Sequence, residues 1–530
     1  MLFRTTATAA AGAVALAFLG AVMGPSWDPE PVVDVPVVDT ADTTVAPGVV
    51  TEPAPGAGTD PASPADPASP ADPGVDVGRR PSGVAPVGTY PVTRTVVDVE
   101  LDGAVVQAQI TQPVGAGDDL PGMVFVHGAG TGRFADAFRA QARALATAGI
   151  VTMVPDKRLD TYSTVHRDYP AMARDYARSV DVLRRRPGVD PAAVGVYGES
   201  EGCWIVPVMT AEDPLLAFAV LVSAPVVPPR QQAAFAAGAY LRNTDVPSGV
   251  FRAIPRAVGL GFPGDAFAYA DFDVSPYQRR TTQPVFMAYG TGDASMPLVQ
   301  GVQQLRADLA AGGNDALTVR YYAGADHGIR RDGSVVPALE RDIAAWVGGL
   351  PATATAAPWI AGAQPVQLFR ADPLPSPRWF GTVDAVLTTV VTAAVALVVG
   401  ALALLTARVL RRRGHGLAPG LAEPLVGLVL GTVLTVGALV GYLVSVARLA
   451  LDYERNTWVV QGGWIGVRVL GLVAVVAGAV LVQRIRDVRA DPQVRVARGA
   501  IAGIGLWSLA AGAVILLVTL AYWGVYQLGI

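Results

Sequence analysis

Residues 194–203 read Val-Gly-Val-Tyr-Gly-Glu-Ser-Glu-Gly-Cys, and this stretch decides how the rest of the chain is read. Residues 194–197 suit a buried strand, Gly198-Glu199-Ser200-Glu201-Gly202 turns sharply, and the run from Cys203 and Trp204 suits a helix. A strand-to-helix turn this tight strains its central residue and needs neighbours without bulk, which Gly198 and Gly202 supply. Ser200 then presents its hydroxyl at the carboxyl end of a sheet. The alternative is a glycine-rich turn with an idle serine, and the neighbouring strand ends decide between them.

Upstream, residues 93–101 and 105–111 alternate like strands around an Asp102-Gly103 hairpin turn. Strands are then expected at 123–126, 150–154, 194–197, 218–222, 285–289 and 317–322, with helices over 135–148, 169–185, 203–211, 298–309 and 336–347. Strand alternating with helix predicts a doubly wound, mostly parallel α/β sheet covered on both faces, with ligands at the carboxyl ends of its strands.

Three further strand ends carry chemistry. His127-Gly128-Ala129-Gly130 follows the strand at 123–126, and its small residues let backbone N–H groups approach a substrate oxygen. Gly290-Thr291-Gly292-Asp293 puts a carboxylate after the strand at 285–289, and Ala325-Asp326-His327-Gly328 puts an imidazole after the strand at 317–322. A serine hydroxyl needs a base near neutral pH, and the imidazole needs a carboxylate to fix its tautomer. Asp326 adjoins His327, but neighbouring side chains on an extended segment point apart, which favours Asp293 as the partner.

In these motifs and their Ser200, Asp293, His327 order, residues 91–350 resemble the α/β-hydrolase superfamily, particularly its dienelactone-hydrolase-like and prolyl-oligopeptidase-like branches. The resemblance implies Ser200 as nucleophile, His327 as base, Asp293 as its orienting acid, and the N–H groups of Ala129 and Glu201 as an oxyanion hole. It implies no metal and no organic cofactor. His127 is then structural, His166 a surface or loop-fixing residue, Ser223 a turn residue and Cys203 a small buried residue behind the turn. The Glu199 and Glu201 carboxylates are expected to face solvent or tie down loops. About sixty residues separate the strands ending at Val222 and beginning at Val285, too many for a simple crossover. In this family such an insertion, here 225–283, forms a helical cap. Its Phe262, Phe267, Tyr269, Phe272 and Tyr277 either face the active site or fill the cap's own core.

The rest of the chain points to a membrane. The sequence is 52% hydrophobic and only 16% charged, with a mean hydropathy of +0.40, too apolar for an ordinary soluble enzyme. A net charge of -4 and no basic patch exclude nucleic acid as the expected partner. One cysteine excludes an internal disulfide, and four widely spaced histidines give no zinc spacing. Residues 1–24, with Arg4 before an apolar run, read as a signal peptide or signal anchor. Residues 25–90 read as a Pro/Ala/Asp-rich disordered linker, with a tandem Asp-Pro-Ala-Ser-Pro-Ala repeat at 60–71, and residues 351–378 as a second linker.

Residues 379–530 predict a four-helix transmembrane region with spans near 382–405, 424–446, 462–483 and 500–523. Arg408, Arg411, Arg412 and Arg413 follow the first span and Arg484, Arg486, Arg489, Arg495 and Arg498 the third, so the positive-inside bias puts the hydrolase on the extracytoplasmic side of the cell membrane. Asp384 and Arg468 read as interfacial anchors, and the many Gly and Ala residues predict close helix packing.

The expected function is therefore a membrane-anchored serine hydrolase acting on a small-molecule or lipid/envelope ester. The alternatives are a peptidase of the prolyl-oligopeptidase-like type, and a non-catalytic sensor or transport-associated protein.

Overall fold

The computed structural model describes residues 2–45, 84–130, 132–410, 416–451 and 454–527. The chain forms two compact units. One comprises Pro31–Pro229 and Ala268–Arg370, the other Met1–Glu30, Arg230–Phe267 and Ala371–Ile530.

The first unit is an α/β sheet. Its strands are β1 (Val38–Asp39), β2 (Val92–Leu101), β3 (Ala104–Pro113), β4 (Leu120–Val126), β5 (Val151–Pro155), β6 (Val189–Glu199), β7 (Ala219–Val222), β8 (Val285–Gly290), β9 (Leu317–Tyr322), a small hairpin β10 (Arg330–Arg331) and β11 (Ser334–Val335), and β12 (Ile360–Gly362). Except for that hairpin they form one sheet in the order β1, β12, β9, β8, β7, β6, β4, β5, β3, β2. The pairs from β1 through to β5 are parallel, while β3 pairs antiparallel with both β5 and β2. The Asp102-Gly103 turn is where the sequence puts it, with Gly103 at φ 76°.

The central strands are apolar throughout because both faces are covered. All seven residues of β4 are buried. Val124 and Val126 pack into one core with residues of the helices Tyr169–Arg184, Gly202–Glu212 and Leu298–Ala311, while Met123 and Phe125 join the opposite core with residues of Arg139–Thr147 and Pro337–Gly348. This is the two-residue alternation of a strand feeding two layers.

Both expected linkers contribute to the sheet. β12 lies within 351–378 and pairs with β9, and β1 lies within 25–90 and pairs with β12. Val35 and Val45 are buried, Arg320 Nε donates to Thr43 O at 2.7 Å, and the Thr43 hydroxyl bonds the Asp342 carboxylate. A Pro/Ala-rich segment cannot build a core of its own, but a valine-bearing stretch can pair with an edge that already exists. Residues 46–83, including the repeat at 60–71, lie outside the described residues.

Among the described residues the second unit holds five helices long and apolar enough to cross a membrane: Phe3–Val22, Val383–Val409, Ala422–Leu449, Trp458–Ala490 and Ala500–Tyr522. Four of them lie where the C-terminal spans are expected, and the fifth is an N-terminal helix of similar character. Their contacts depend on small residues, as expected. A Cβ at Gly400 would stand 2.8 Å from Leu509 N, and one at Gly512 2.9 Å from Ala393 O. Arg468 Nη2 donates to Gln527 O at 2.5 Å.

Much of the expected cap belongs to this unit. The helices Pro229–Asn243 and Ala253–Val258 frame a short turn at Ser248–Arg252, and Val246 and Val250 are buried in one core with Leu439, Tyr442 and Trp464 of the apolar helices. The aromatic group of the insertion therefore splits. Phe262 and Phe267 pair at 4.4 Å in the second unit, whereas Tyr269, Phe272 and Tyr277 pack on the α/β core, Phe272 lying 5.0 Å from the Tyr169 ring.

Candidate active site

β6 ends at Glu199, and the chain turns at Ser200 before the helix Gly202–Glu212 begins. Ser200 has φ 56°, the left-handed conformation that a side chain tolerates only under constraint, and its N–H donates to Val222 O at 2.9 Å. The flanking glycines are dictated by contact. A Cβ at Gly198 would lie 2.8 Å from Val206 Cγ2, and one at Gly202 2.5 Å from Val126 O. Cys203 is buried behind the turn with its thiol toward Gly198 O at 3.2 Å, and burial pushes its pKa well above the ordinary thiol value.

The loops after β8 and β9 are laced together, since Gly292 N donates to Ala325 O at 2.9 Å and Thr291 N to Tyr322 O at 3.0 Å. This brings Asp293 Oδ2 to 2.8 Å from His327 Nδ1. The Asp293 side chain is fully enclosed, at 0% exposure, while His327 keeps 34%, so the imidazole is the member of the pair that a substrate can reach. Ser295, which the sequence reading passed over, completes the carboxylate's shell. Its N–H and hydroxyl donate to Asp293 Oδ1 at 2.8 and 2.6 Å, and its Oγ lies 3.3 Å from His327 Nδ1. An Asp-x-Ser turn after a strand was the available signal.

Electrostatics follow the geometry. Burial by itself would lower the His327 pKa, but the hydrogen bond and charge of Asp293, with a smaller contribution from Glu199, raise it above the ordinary imidazole value. Burial pushes Asp293 up, and the bonds from His327 and Ser295 reverse this, holding it below the usual carboxylate range. Asp326 is exposed and accepts from Arg330 N at 3.0 Å, so it ties its own turn while Asp293 pairs with the imidazole.

The other histidines fall where expected. His127 is buried with Nε2 2.6 Å from Pro155 O, and burial drives its pKa down to about 4, leaving a neutral structural ring. His166 is exposed in a loop closed by Ser163 N to His166 O at 2.9 Å. Ser223 stays in a turn at φ 51°, and its Oγ accepts from Gly328 N at 3.1 Å.

Glu199 and Glu201 do not face solvent; both are buried. Glu201 is held by Lys157 Nζ at 3.0 Å, Arg167 Nη1 at 2.5 Å and the Tyr162 hydroxyl at 2.9 Å, and Lys157 Nζ also donates to Gly128 O at 2.6 Å. Gly128 itself approaches the Ser200 turn, where a Cβ would lie 3.1 Å from Glu199 O and 3.3 Å from Ser200 Cβ. Glu199 has looser company, with Tyr197 Oη at 3.3 Å and Arg330 Nη2 at 3.9 Å, and burial raises its pKa.

Residues 136–350 match the family model described as the prolyl oligopeptidase family. No curated protein matches the sequence. Similar solved structures include a putative dienelactone hydrolase from Klebsiella pneumoniae, 17% identical, covering 50% of this chain and 99% of its own at a TM-score of 0.35. An esterase from the archaeon Pyrobaculum calidifontis is 18% identical, covering 50% of this chain and 86% of its own at 0.36. A putative dipeptidyl aminopeptidase IV from Bacteroides ovatus is 14% identical, covering 48% of this chain and 35% of its own at 0.36. The parallel sheet order and the match to the prolyl oligopeptidase family over 136–350 support a serine hydrolase of α/β-hydrolase type in the first unit, and the chain also carries helices long and apolar enough to cross a membrane.

Proposed function

We propose that this protein is a membrane-anchored, extracytoplasmic serine hydrolase that cleaves carboxylic esters or related acyl bonds through an acyl-enzyme. One observation carries the reading: Ser200 sits strained at φ 56° on the elbow of a sheet whose strand ends also bring His327 within 2.8 Å of Asp293. Ser200 Oγ attacks the acyl carbonyl while His327 Nε2 takes its proton, and Asp293 holds Nδ1–H and stabilises the imidazolium. The developing oxyanion is received by the N–H groups of Ala129 and Glu201. His327 returns its proton to the leaving alcohol, and a water activated by the same imidazole then releases the acid. Every step uses groups of the chain, so the reading calls for no cofactor.

The side of the membrane is inferred from arginines. Arg408 lies at the end of the helix Val383–Val409, and Arg484, Arg486 and Arg489 lie near the end of Gly463–Ala490, which favours a cytoplasmic location for those ends and the hydrolase outside. Arg411, Arg412 and Arg413 lie outside the described residues. A lipid or envelope ester is the substrate that such a placement favours.

A membrane-impermeant fluorophosphonate applied to intact cells tests chemistry and side together. Labelling of the parent that disappears in Ser200→Ala is expected. Labelling only after lysis would reverse the topology, and equal labelling of parent and variant would remove Ser200 from the role. The match to the prolyl oligopeptidase family keeps a peptidase as the second reading. Turnover of short prolyl peptides faster than of any ester in a chain-length series would establish it.

A further inference from the structure

The proposed oxyanion donors sit on two separate segments, the loop after β4 and the elbow after β6, and one buried cation bonds to both. Lys157 Nζ lies 2.6 Å from Gly128 O and 3.0 Å from Glu201 Oε2, with its side chain 1% exposed. We infer that Lys157 is a positioning residue of the oxyanion hole, bridging the Gly128–Ala129 peptide to Glu201. The inference rests on the oxyanion reading above.

A trans peptide is flat, so the Gly128 carbonyl and the Ala129 N–H point in opposite directions. A cation that holds the carbonyl oxygen therefore fixes the direction of the N–H on the other side of the same plane. The loop needs such a hold because of its composition. Gly128 is required by its approach to Glu199 O and Ser200 Cβ, and Gly130 has φ +80°, so glycines on both sides of Ala129 leave this peptide little intrinsic stiffness. A hydrogen bond at the carbonyl also polarises the amide and strengthens its N–H as a donor.

The other end of the bridge acts on the elbow. The Glu201 N–H belongs to the peptide joining the strained Ser200 to Glu201, and the Glu201 carboxylate is fixed by Lys157, Arg167 and Tyr162. Lys157 is itself placed from behind. It follows Pro155 at the end of β5, its N–H donates to Gly132 O at 2.6 Å, and the Asp156 carboxylate next to it accepts from Phe134 N at 2.8 Å. The loops after β4, β5 and β6 thus meet at one ammonium. Lys157 and Arg167 set two positive charges against the single carboxylate of Glu201, a balance that suits a site where an oxyanion forms.

The test compares the full-length parent with Lys157→Met, Lys157→Arg and the double variant Lys157→Met/Glu201→Gln. An activated ester gives kcat and KM, and a trifluoromethyl ketone, which forms a tetrahedral oxyanion on the serine, gives a Ki. Lys157→Met is expected to lose roughly 10²-fold in kcat, the size seen when an oxyanion donor is removed, with KM within about threefold. The Ki should rise by the factor by which kcat/KM falls, a parallel that a merely structural role would not produce. Lys157→Arg keeps a donor and a charge and should recover part of the rate.

The double variant also removes the Glu201 carboxylate, which Lys157→Met leaves paired with Arg167, and it should not regain the parent's kcat. Parent-like kcat in Lys157→Met, or parent-like kcat in the double variant, overturns the inference while leaving the Ser200 reading intact. A parent that is not labelled by a fluorophosphonate at Ser200 ends both.

Discussion

The α/β unit and the unit built on the apolar helices both bury charged side chains, and they answer them differently. In the α/β unit the answer comes from other side chains: Glu201 from Lys157, Arg167 and Tyr162, Asp293 from His327 and Ser295. In the helical unit the buried Arg256 is met by backbone. Its guanidinium donates to Gly20 O at 3.0 Å and to Tyr522 O, and lies 4.9 Å above the Tyr522 ring. Gly20 and Tyr522 stand in the last turns of the helices Leu2–Val22 and Ala500–Tyr522, where carbonyls lack an intrahelical partner and carry the negative end of the helix dipole. Apolar helices offer few carboxylates, so their ends supply the acceptors. Charge pairing in a catalytic sheet is written in side chains, and at the ends of a bundle it is written in backbone.

The sharpest way to break the first half of this contrast is to change one side chain without changing its shape. Asp293→Asn keeps the volume and removes the charge that holds His327 Nδ1–H. In serine triads this costs about 10⁴-fold in kcat because the imidazole adopts the wrong tautomer. Steady-state turnover of an activated ester is the measurement. A variant retaining a tenth of the parent rate would mean that Ser295 or Asp326 replaces the carboxylate, and the pairing at 2.8 Å would then be incidental to catalysis.

The same contrast explains what was legible in the sequence. The elbow, the Asp293 and His327 strand ends and the central strands were readable because local patterns specify them, glycines at fixed offsets and apolar runs between turns. Asp293 could be preferred over Asp326 on side-chain direction alone. Of the two expectations for Glu201, facing solvent or tying down loops, the second holds: it is buried and bonded to the loop that carries Lys157 and Arg167. Lys157 and Arg167 that enclose it come from a loop more than thirty residues upstream, a partnership that no local window contains. β1 and β12 were hidden because composition reports whether a segment can build a core and says nothing about whether it can extend an existing sheet. Residues 230–267 fall within the expected cap, whereas their burial partners, Arg256 with Tyr522 among them, lie among helices more than a hundred residues away in sequence.

Arg256→Met sharpens the second half. Burial lowers the arginine's pKa to about 10, so it remains charged at neutral pH and its bonds to carbonyls are charge-assisted. Each such bond contributes about 1.5–3 kcal/mol, and methionine keeps much of the apolar stem while losing both. The expected outcome is a lower unfolding temperature of the full-length protein in detergent and faster proteolysis within 230–267. Turnover of a soluble ester should stay within about twofold, because the residues of the proposed triad and their strand ends belong to the other unit. Unchanged melting and proteolysis would show that the two carbonyls can do without the guanidinium.

The smallest expected effect concerns Glu199, the carboxylate on the other side of Ser200. Its charge helps raise the His327 pKa, ranking below the hydrogen bond and charge of Asp293, while Arg330 opposes it. Because the folded-state value is raised, the charged imidazole stabilises the fold below its unfolded pKa, and that contribution is lost as pH rises through the folded value. Catalysis runs the other way, since the base must be neutral, so the acid limb of the kcat/KM profile lies above the ordinary imidazole value of 6.5. Glu199→Gln removes the charge while keeping a polar group opposite Tyr197 and Arg330, which should move that limb to lower pH and leave the plateau rate within a few-fold. An acid limb that stays in place, or moves to higher pH, would mean that Glu199 is protonated throughout the working range and that Asp293 alone sets the poise of the base.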